Sequence, residues 1–167
     1  MQKFFASESV SSRYTPLVKY PSAPVHHCRL CADDSRADTL FVAMLNSYRG
    51  SGGLAREQEV IALFKRHGGS DVDLLPNWIA KREVICFDWG AETWLPWFQF
   101  KHLDVVPQLQ LGQVFTELVS VYDPWELANW FVQPNPWLAN RTPVDTFVSD
   151  PTEVLNAARA DRFIDNY

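Results

Sequence analysis

The sequence predicts a mainly α (α+β) protein: a helix-turn-helix-like lobe with a β-hairpin, followed by a small all-helical module. Three observations predict this class. Apolar residues recur at helical spacing through much of residues 36–82. The period then changes to two strand-like runs on either side of Gly90. Beyond residue 107 the helical period returns, with three helix starts that each contain a proline.

Residues 1–35 hold Ser and Pro clusters with little periodicity, and we expect an irregular N-terminal arm there. The arm contains His26, His27, Cys28 and Cys31, which have the spacing of half a zinc site. Because no second half with standard spacing follows, we expect free thiols, with no metal and no other cofactor. The arm has no apolar core of a signal peptide and the chain no membrane-length apolar run, so we expect a cytoplasmic protein.

The lobe over residues 36–107 begins with three predicted helices. The first covers residues 36–48 and ends at Gly50–Gly53, which we expect to be a flexible joint. The second covers residues 54–67 and is stopped by two glycines. The third covers about residues 72–82, although Pro76 restricts where it can begin.

A β-hairpin is predicted next, with strand-like runs at 84–89 and 93–100 joined by Gly90, Ala91 and Glu92. Pro96 lacks an N–H, so we expect the second run to be an edge strand or an interrupted one. The order helix, turn, helix, hairpin is that of a winged helix-turn-helix, an arrangement that small lobes use for many purposes.

Three side chains of the third predicted helix are candidates for DNA binding: Asn77, Lys81 and Arg82. Asparagine can read adenine, and the two cations can meet phosphates. The alternative is that Lys81 and Arg82 only complement the dipole at the helix C-terminus, since the lobe carries a net negative charge.

Residues 108–167 are predicted to be helical throughout, starting with a helix over 108–122. Three further helix starts share one chemistry: Asp123, Thr142 and Asp150 are each followed by Pro and, at the third helical position, by an acid. The cap side chain accepts from an unpaired backbone N–H, and Pro loses no hydrogen bond at the first position. These features predict short, sharply bounded helices.

One stretch of this module has the landmarks of a known family. Residues 130–145 read W-F-x-x-P-N-x-W-L-x-x-R-T-P-V-D, and an acidic cap and a helix rich in small residues follow. This pattern resembles the toxin-binding domain of the Xre/MbcA/ParS antitoxins. The upstream segment Trp97–Phe100 is similar to one often found just before that domain, so the resemblance covers about residues 94–167. Asn140 stands where the family usually has Gly, and Asn tolerates the left-handed conformation well.

The resemblance implies a protein partner, usually a RES-domain toxin that degrades NAD, whose active-site cleft the antitoxin's C-terminal segment covers. It also implies a homodimer and a helix-turn-helix that binds operator DNA. The toxin-binding residues that it implies are Trp130, Asn135, Trp137, Arg141, Arg159, Arg162, Asp165 and Tyr167. The alternative for the last seven residues is a frayed tail with surface charges.

The sequence offers no recognisable catalytic constellation. His67 and His102 lie in no nucleophile motif, and the Gly50–Gly53 run lacks the Lys-Ser/Thr of a phosphate loop. We therefore expect a binding protein and no enzyme. Residues 101–167 carry four Lys/Arg against nine Asp/Glu, which suits a partner with a basic cleft. The alternative is a DNA-binding transcriptional regulator with a C-terminal module for dimerisation or partner binding.

Overall fold

The computed structural model describes residues 34–66, 74–101 and 106–165. It is mainly helical with a three-stranded antiparallel sheet, which confirms the predicted class. The helices are α1 (Asp34–Ser47), α2 (Glu57–Arg66), α3 (Leu74–Ala80), α4 (Leu109–Leu118), α5 (Pro124–Val132), α6 (Pro143–Ser149) and α7 (Pro151–Asp165). The strands are β1 (Leu54–Arg56), β2 (Phe87–Trp89) and β3 (Glu92–Pro96), and short 3-10 helices cover Arg49–Ser51, Trp97–Gln99 and Pro136–Leu138.

The sheet has the order β1-β3-β2. The predicted hairpin is confirmed as β2 and β3, but Leu54–Arg56 forms a strand where we expected the start of a helix. Strand β3 is central and not an edge strand, but the other predicted alternative is confirmed, because the second run is interrupted at Pro96, where the 3-10 helix Trp97–Gln99 follows. The sheet tolerates Pro96 because it is the last residue of β3, opposite Leu54, and the next donor, Trp97 N–H, bonds to Gly53 O at 2.9 Å.

The order α1-β1-α2-α3-β2-β3, with β1 paired to β3, is the connectivity of a winged helix. Helix α3 ends two residues earlier than predicted, in a Schellman turn. Glu83 N–H bonds to Trp78 O at 2.9 Å, and Arg82 N–H bonds to Ile79 O at 3.0 Å. Arg82 takes the left-handed conformation, φ 56°, that Gly usually supplies there. Lys81 and Arg82 consequently lie beyond the helix.

The three predicted helix caps are confirmed. Asp123 and Glu126 form a reciprocal capping box at α5, with hydrogen bonds of 2.8 and 3.0 Å. Thr142 Oγ1 accepts from the third residue of α6. Asp150 Oδ1 accepts from Glu153 N–H at 2.9 Å. Each cap supplies an acceptor to one of the backbone donors that a helix start leaves unpaired.

Among the glycines after α1, Gly52 is closely packed. Gly52 has φ 101°, and a Cβ placed there would come within 2.8 Å of Trp97 Cδ1. Only glycine combines this backbone conformation with so close an approach. Gly52, within the segment that we expected to be a flexible joint, thus lies against the indole of Trp97.

Two hydrophobic clusters fill the interior. The smaller one joins α2, α3 and β3, and includes Val60, Leu75 and Leu95. The larger one contains residues of α1, β2 and α4 to α7, so elements on both sides of residue 107 share it. At its edge Trp89 stacks between Phe41 and Trp125, with ring centroids 4.9 and 5.4 Å apart. The hairpin is therefore held against α5.

Gln99 is a fully buried polar side chain that joins the 3-10 helix Trp97–Gln99 to the backbone of Ile85. Its Oε1 accepts from Ile85 N–H at 2.7 Å, and its Nε2 donates to Ile85 O at 2.9 Å. The amide thus pairs both backbone groups of Ile85, as a neighbouring strand would.

None of the helices in the described part of the chain contains an apolar stretch of the length that a membrane span requires.

We expect Gln99→Met to destabilise the fold by about 2–4 kcal/mol, because methionine keeps the volume but leaves both buried backbone groups of Ile85 unpaired. Urea denaturation followed by circular dichroism measures the loss. Gln110→Met, at an exposed position of α4, is the matched control and should change stability by less than about 0.5 kcal/mol. Equal stability of the two variants would contradict this role of Gln99.

Candidate functional site

The carboxylate of Asp161, on α7, accepts three hydrogen bonds from α5 and the turn that follows it. Oδ2 accepts from Trp130 Nε1 at 2.7 Å and from Asn135 Nδ2 at 2.8 Å. Oδ1 accepts from Trp137 Nε1 at 2.9 Å. We call these four residues the Asp161 cluster. It ties α5, the Pro136–Leu138 turn and α7 together.

The turn after α5 is built to hold Asn135 in this place. Asn135 Oδ1 accepts from Trp137 N–H at 2.9 Å, which caps the 3-10 helix. Its backbone N–H bonds to Arg141 O at 3.0 Å, and its backbone O accepts from Asn140 N–H at 3.0 Å. Asn140 takes the left-handed conformation, φ 61°, as expected of a residue that replaces glycine, and Ala139 does so too.

The structure therefore brings together three of the predicted binding residues, but in different environments. Trp130 and Asn135 are buried and donate inward to Asp161. Trp137 donates to the same carboxylate while 53% of the residue remains exposed. Trp137 is thus the member of the Asp161 cluster that combines a fixed orientation with an accessible aromatic surface.

The last turn of α7 carries two exposed apolar side chains. Phe163 is 65% exposed and Ile164 is 57% exposed. They lie two and three residues beyond Asp161, so the cluster fixes the helix immediately before them. The side chain of Asp165 and the whole of Tyr167, which we also predicted to bind, lie outside the described residues.

The three predicted arginines form ion pairs with acids of the same module. Arg159 and Arg162 both pair with Glu117 of α4, the former at 3.1 Å. Arg141 pairs with Glu153 at 2.7 Å. About half of each arginine side chain remains exposed. Successive residues of a helix are rotated by 100°, so Arg159 and Arg162 project from a different side of α7 than Asp161 does. On that side their ion pairs connect α7 to α4.

The DNA-binding candidates lie elsewhere. Asn77, Lys81 and Arg82 are exposed around the end of α3. The Arg82 guanidinium approaches Val119 O at 3.5 Å, and the acids Glu83 and Asp88 are exposed in the same lobe. The hairpin that would serve as a wing packs inward through Trp89.

Among the described residues, no group of His, Cys, Asp and Glu could hold a metal ion. His26, His27, Cys28 and Cys31 lie outside the described ranges, as do His67 and His102. Within those ranges Cys86 is a free thiol, and burial, with a smaller contribution from Asp88 and Glu57, raises its pKa from 9.0 to about 11. A thiol held so far from ionisation is a poor nucleophile at neutral pH.

Sequence reasoning missed Asp161 and Glu117, the acceptors that organise the predicted donors. Buried indole and amide N–H groups need acceptors, so burial of Trp130 and Asn135 requires an acceptor nearby, and an acid is one candidate. Several acids were available, however, and spacing along the chain does not select among them. The pairing depends on how α7 lies against α5.

We expect Asp161→Ala to lower the free energy of unfolding by about 3 kcal/mol, since three charge-assisted hydrogen bonds are lost and two buried donors remain unpaired. Chemical denaturation measures the change. Asp38→Ala, an exposed acid of α1, serves as the control and should cost under about 0.5 kcal/mol. A loss at Asp161 no larger than that of the control would show that the cluster does not hold α7.

Comparison with known proteins adds no assignment: no family model, curated protein or solved structure matches the chain.

Proposed function

We propose that this chain is an antitoxin-like protein, and not an enzyme, that binds and neutralises a cognate toxin. The observation that carries the proposal is the exposed apolar end of α7, where Phe163 and Ile164 follow directly after Asp161. Apolar side chains grouped at one exposed helix end are typical of a protein interface.

The rigidity of this end supports a binding role. Hydrogen bonds from Trp130, Asn135 and Trp137 fix one side of α7, and the ion pairs to Glu117 fix another. A helix end that is ordered before it meets its partner loses less conformational entropy on binding. Trp137 adds an accessible aromatic ring, a residue type that often anchors interfaces.

The kind of toxin is inferred from the resemblance to the Xre/MbcA/ParS antitoxins, whose partners are RES-domain enzymes that degrade NAD. In our proposal the end of α7 covers the toxin's active site, so that NAD cannot enter. The surplus of acids over basic residues beyond residue 100 favours a partner whose cleft is basic, as a cleft for an anionic dinucleotide would be.

We expect the double substitution F163E/I164E to abolish neutralisation and leave the fold intact, because it places two charges on an exposed surface that the partner must desolvate. The test co-expresses each variant with the toxic product of a neighbouring reading frame and measures growth and cellular NAD. Val42→Glu, at a similarly exposed position of α1, is the control and should neutralise like the wild type.

Neutralisation by F163E/I164E at the wild-type level would reject the α7 surface as the inhibitory one. Absence of any toxic neighbour, with no change in NAD, would reject the toxin class. Substitutions are cleaner than a truncation before Arg159, because that truncation also removes Asp161 and both partners of Glu117. Circular dichroism confirms that each variant is folded.

DNA binding is the second candidate function, favoured by the winged-helix connectivity and by two exposed polar residues, Asn77 in α3 and Lys81 just after it. An antitoxin that regulates its own operon would have both activities. The inward-packed hairpin and the exposed acids Glu83 and Asp88 weigh against a wide DNA surface.

If the lobe binds DNA, K81A/R82A should weaken binding to the DNA upstream of its gene. The slope of log K against log salt concentration should also fall by the amount expected for about two phosphate contacts. Fluorescence anisotropy over a salt series measures both quantities. K65A/R66A, at the exposed end of α2, is a charge-matched control. Equal effects of the two pairs would indicate nonspecific attraction only.

A further inference from the structure

Trp137 differs from the six other tryptophans of the chain in what covers its ring. Each of the six has an aromatic neighbour with ring centroids no more than 6.1 Å apart: Trp78, Trp89, Trp94, Trp97, Trp125 and Trp130. Trp137 is 53% exposed, and none of the ring pairs among the described residues includes it. One face of this indole is therefore available to another molecule.

The exposed ring is nevertheless held at both of its ends. The backbone N–H of Trp137 donates to Asn135 Oδ1 at 2.9 Å, and its Nε1 donates to Asp161 Oδ1 at 2.9 Å. These bonds fix the side chain from its root to its far edge. An aromatic side chain that is already ordered loses little conformational freedom when a partner covers it.

The bond to Asp161 also sets the electrostatics of the indole. An aromatic ring is negative over its faces and positive around its edge. Here the carboxylate occupies the positive N–H edge. An anion that accepts from this N–H also leaves more electron density on the ring, so the exposed face becomes more negative. A cation is the kind of group that such a face attracts.

The cations of the helical module do not occupy this face. All three arginines of residues 108–165 pair with acids of the module. In the hairpin lobe, by contrast, the guanidinium of Arg56 lies 5.2 Å from the centroid of the Trp94 ring. The chain thus contains one filled pair of a guanidinium and an indole, while among the described residues no cation covers Trp137.

The exposed indole borders the end of α7 that is proposed to bind the toxin. Ile164 lies three residues beyond Asp161, and residues three apart are neighbours on a helix surface. Ile164 is 57% exposed. The indole edge that reaches Asp161 therefore lies beside the position from which Ile164 projects. A partner that covers Ile164 meets the face of Trp137 on the same surface.

We propose that the exposed face of Trp137 binds an arginine side chain of the protein partner, while Ile164 packs beside it. This inference rests on the proposed function, because it names what the toxin presents to the end of α7. Arginine fits best, since its planar guanidinium stacks on aromatic faces and is more weakly hydrated than an ammonium group. Asp161 is a positioning residue, which holds and polarises the ring without touching the partner.

The first test needs no toxin. The full chain labelled with ¹⁵N is titrated with a hexa-arginine peptide and, separately, with a hexa-citrulline peptide, which has side chains of the same shape without the charge. The indole N–H signal of Trp137, assigned by its loss in Trp137→Phe, should shift with hexa-arginine alone. The internal control is the signal of buried Trp130, which donates to the same carboxylate and should stay in place. Equal shifts of the two signals, or equal effects of the two peptides, overturn the inference.

The second test replaces Trp137 by trifluorotryptophan, which keeps the indole and its N–H but withdraws electron density from the ring faces. The dissociation constant for the purified toxic product of the neighbouring reading frame should rise about three- to thirtyfold. Trifluorotryptophan at position 130 is the matched control, because it changes a bond to the same carboxylate without an exposed face, and it should leave the affinity unchanged.

The outcomes separate this inference from the proposed function. A product that binds the wild type and the fluorinated Trp137 variant equally well overturns the inference and leaves the proposed function standing. A product that does not bind the wild type rejects the proposed function. In that case the peptide titration by itself decides whether Trp137 holds a guanidinium: a selective shift supports the site, and its absence overturns it.

Discussion

The carboxylate of Asp161 holds the helical module together at the place where the proposed function needs it. Two indoles and one amide donate to it from α5 and from the turn that follows. A partly buried carboxylate is favourable only when polar groups replace the water that it loses, and here three N–H groups do so. The direction of the last turns of α7 follows from this arrangement.

Helices α4 and α7 give the module two distinct ends. At one end Glu117 draws Arg159 and Arg162 onto α4, and the apolar tip of α7 projects beyond them. At the other end the starts of both helices line an uncharged cleft.

The hairpin lobe has the connectivity of a winged helix but uses its hairpin as an internal support. Trp89 stacks on Phe41 and Trp125, and Phe87 meets Trp125 edge to face at 5.1 Å. Aromatic contacts of this kind add to the burial of large rings and resist separation of the two parts. Winged-helix connectivity alone does not establish DNA binding, because a fold can contact only what its exposed side chains can bind.

Interactions between near neighbours in the chain were determined by the sequence itself: the caps at Asp123, Thr142 and Asp150, the hairpin around Gly90, and the left-handed Asn140. Each depends on residues a few positions apart, so local preferences suffice to predict it. Strand β1, the acceptor Asp161 and the uncharged cleft were decided only by the tertiary structure. Their partners lie tens of residues away, and many alternative pairings satisfy the same local rules until packing selects one.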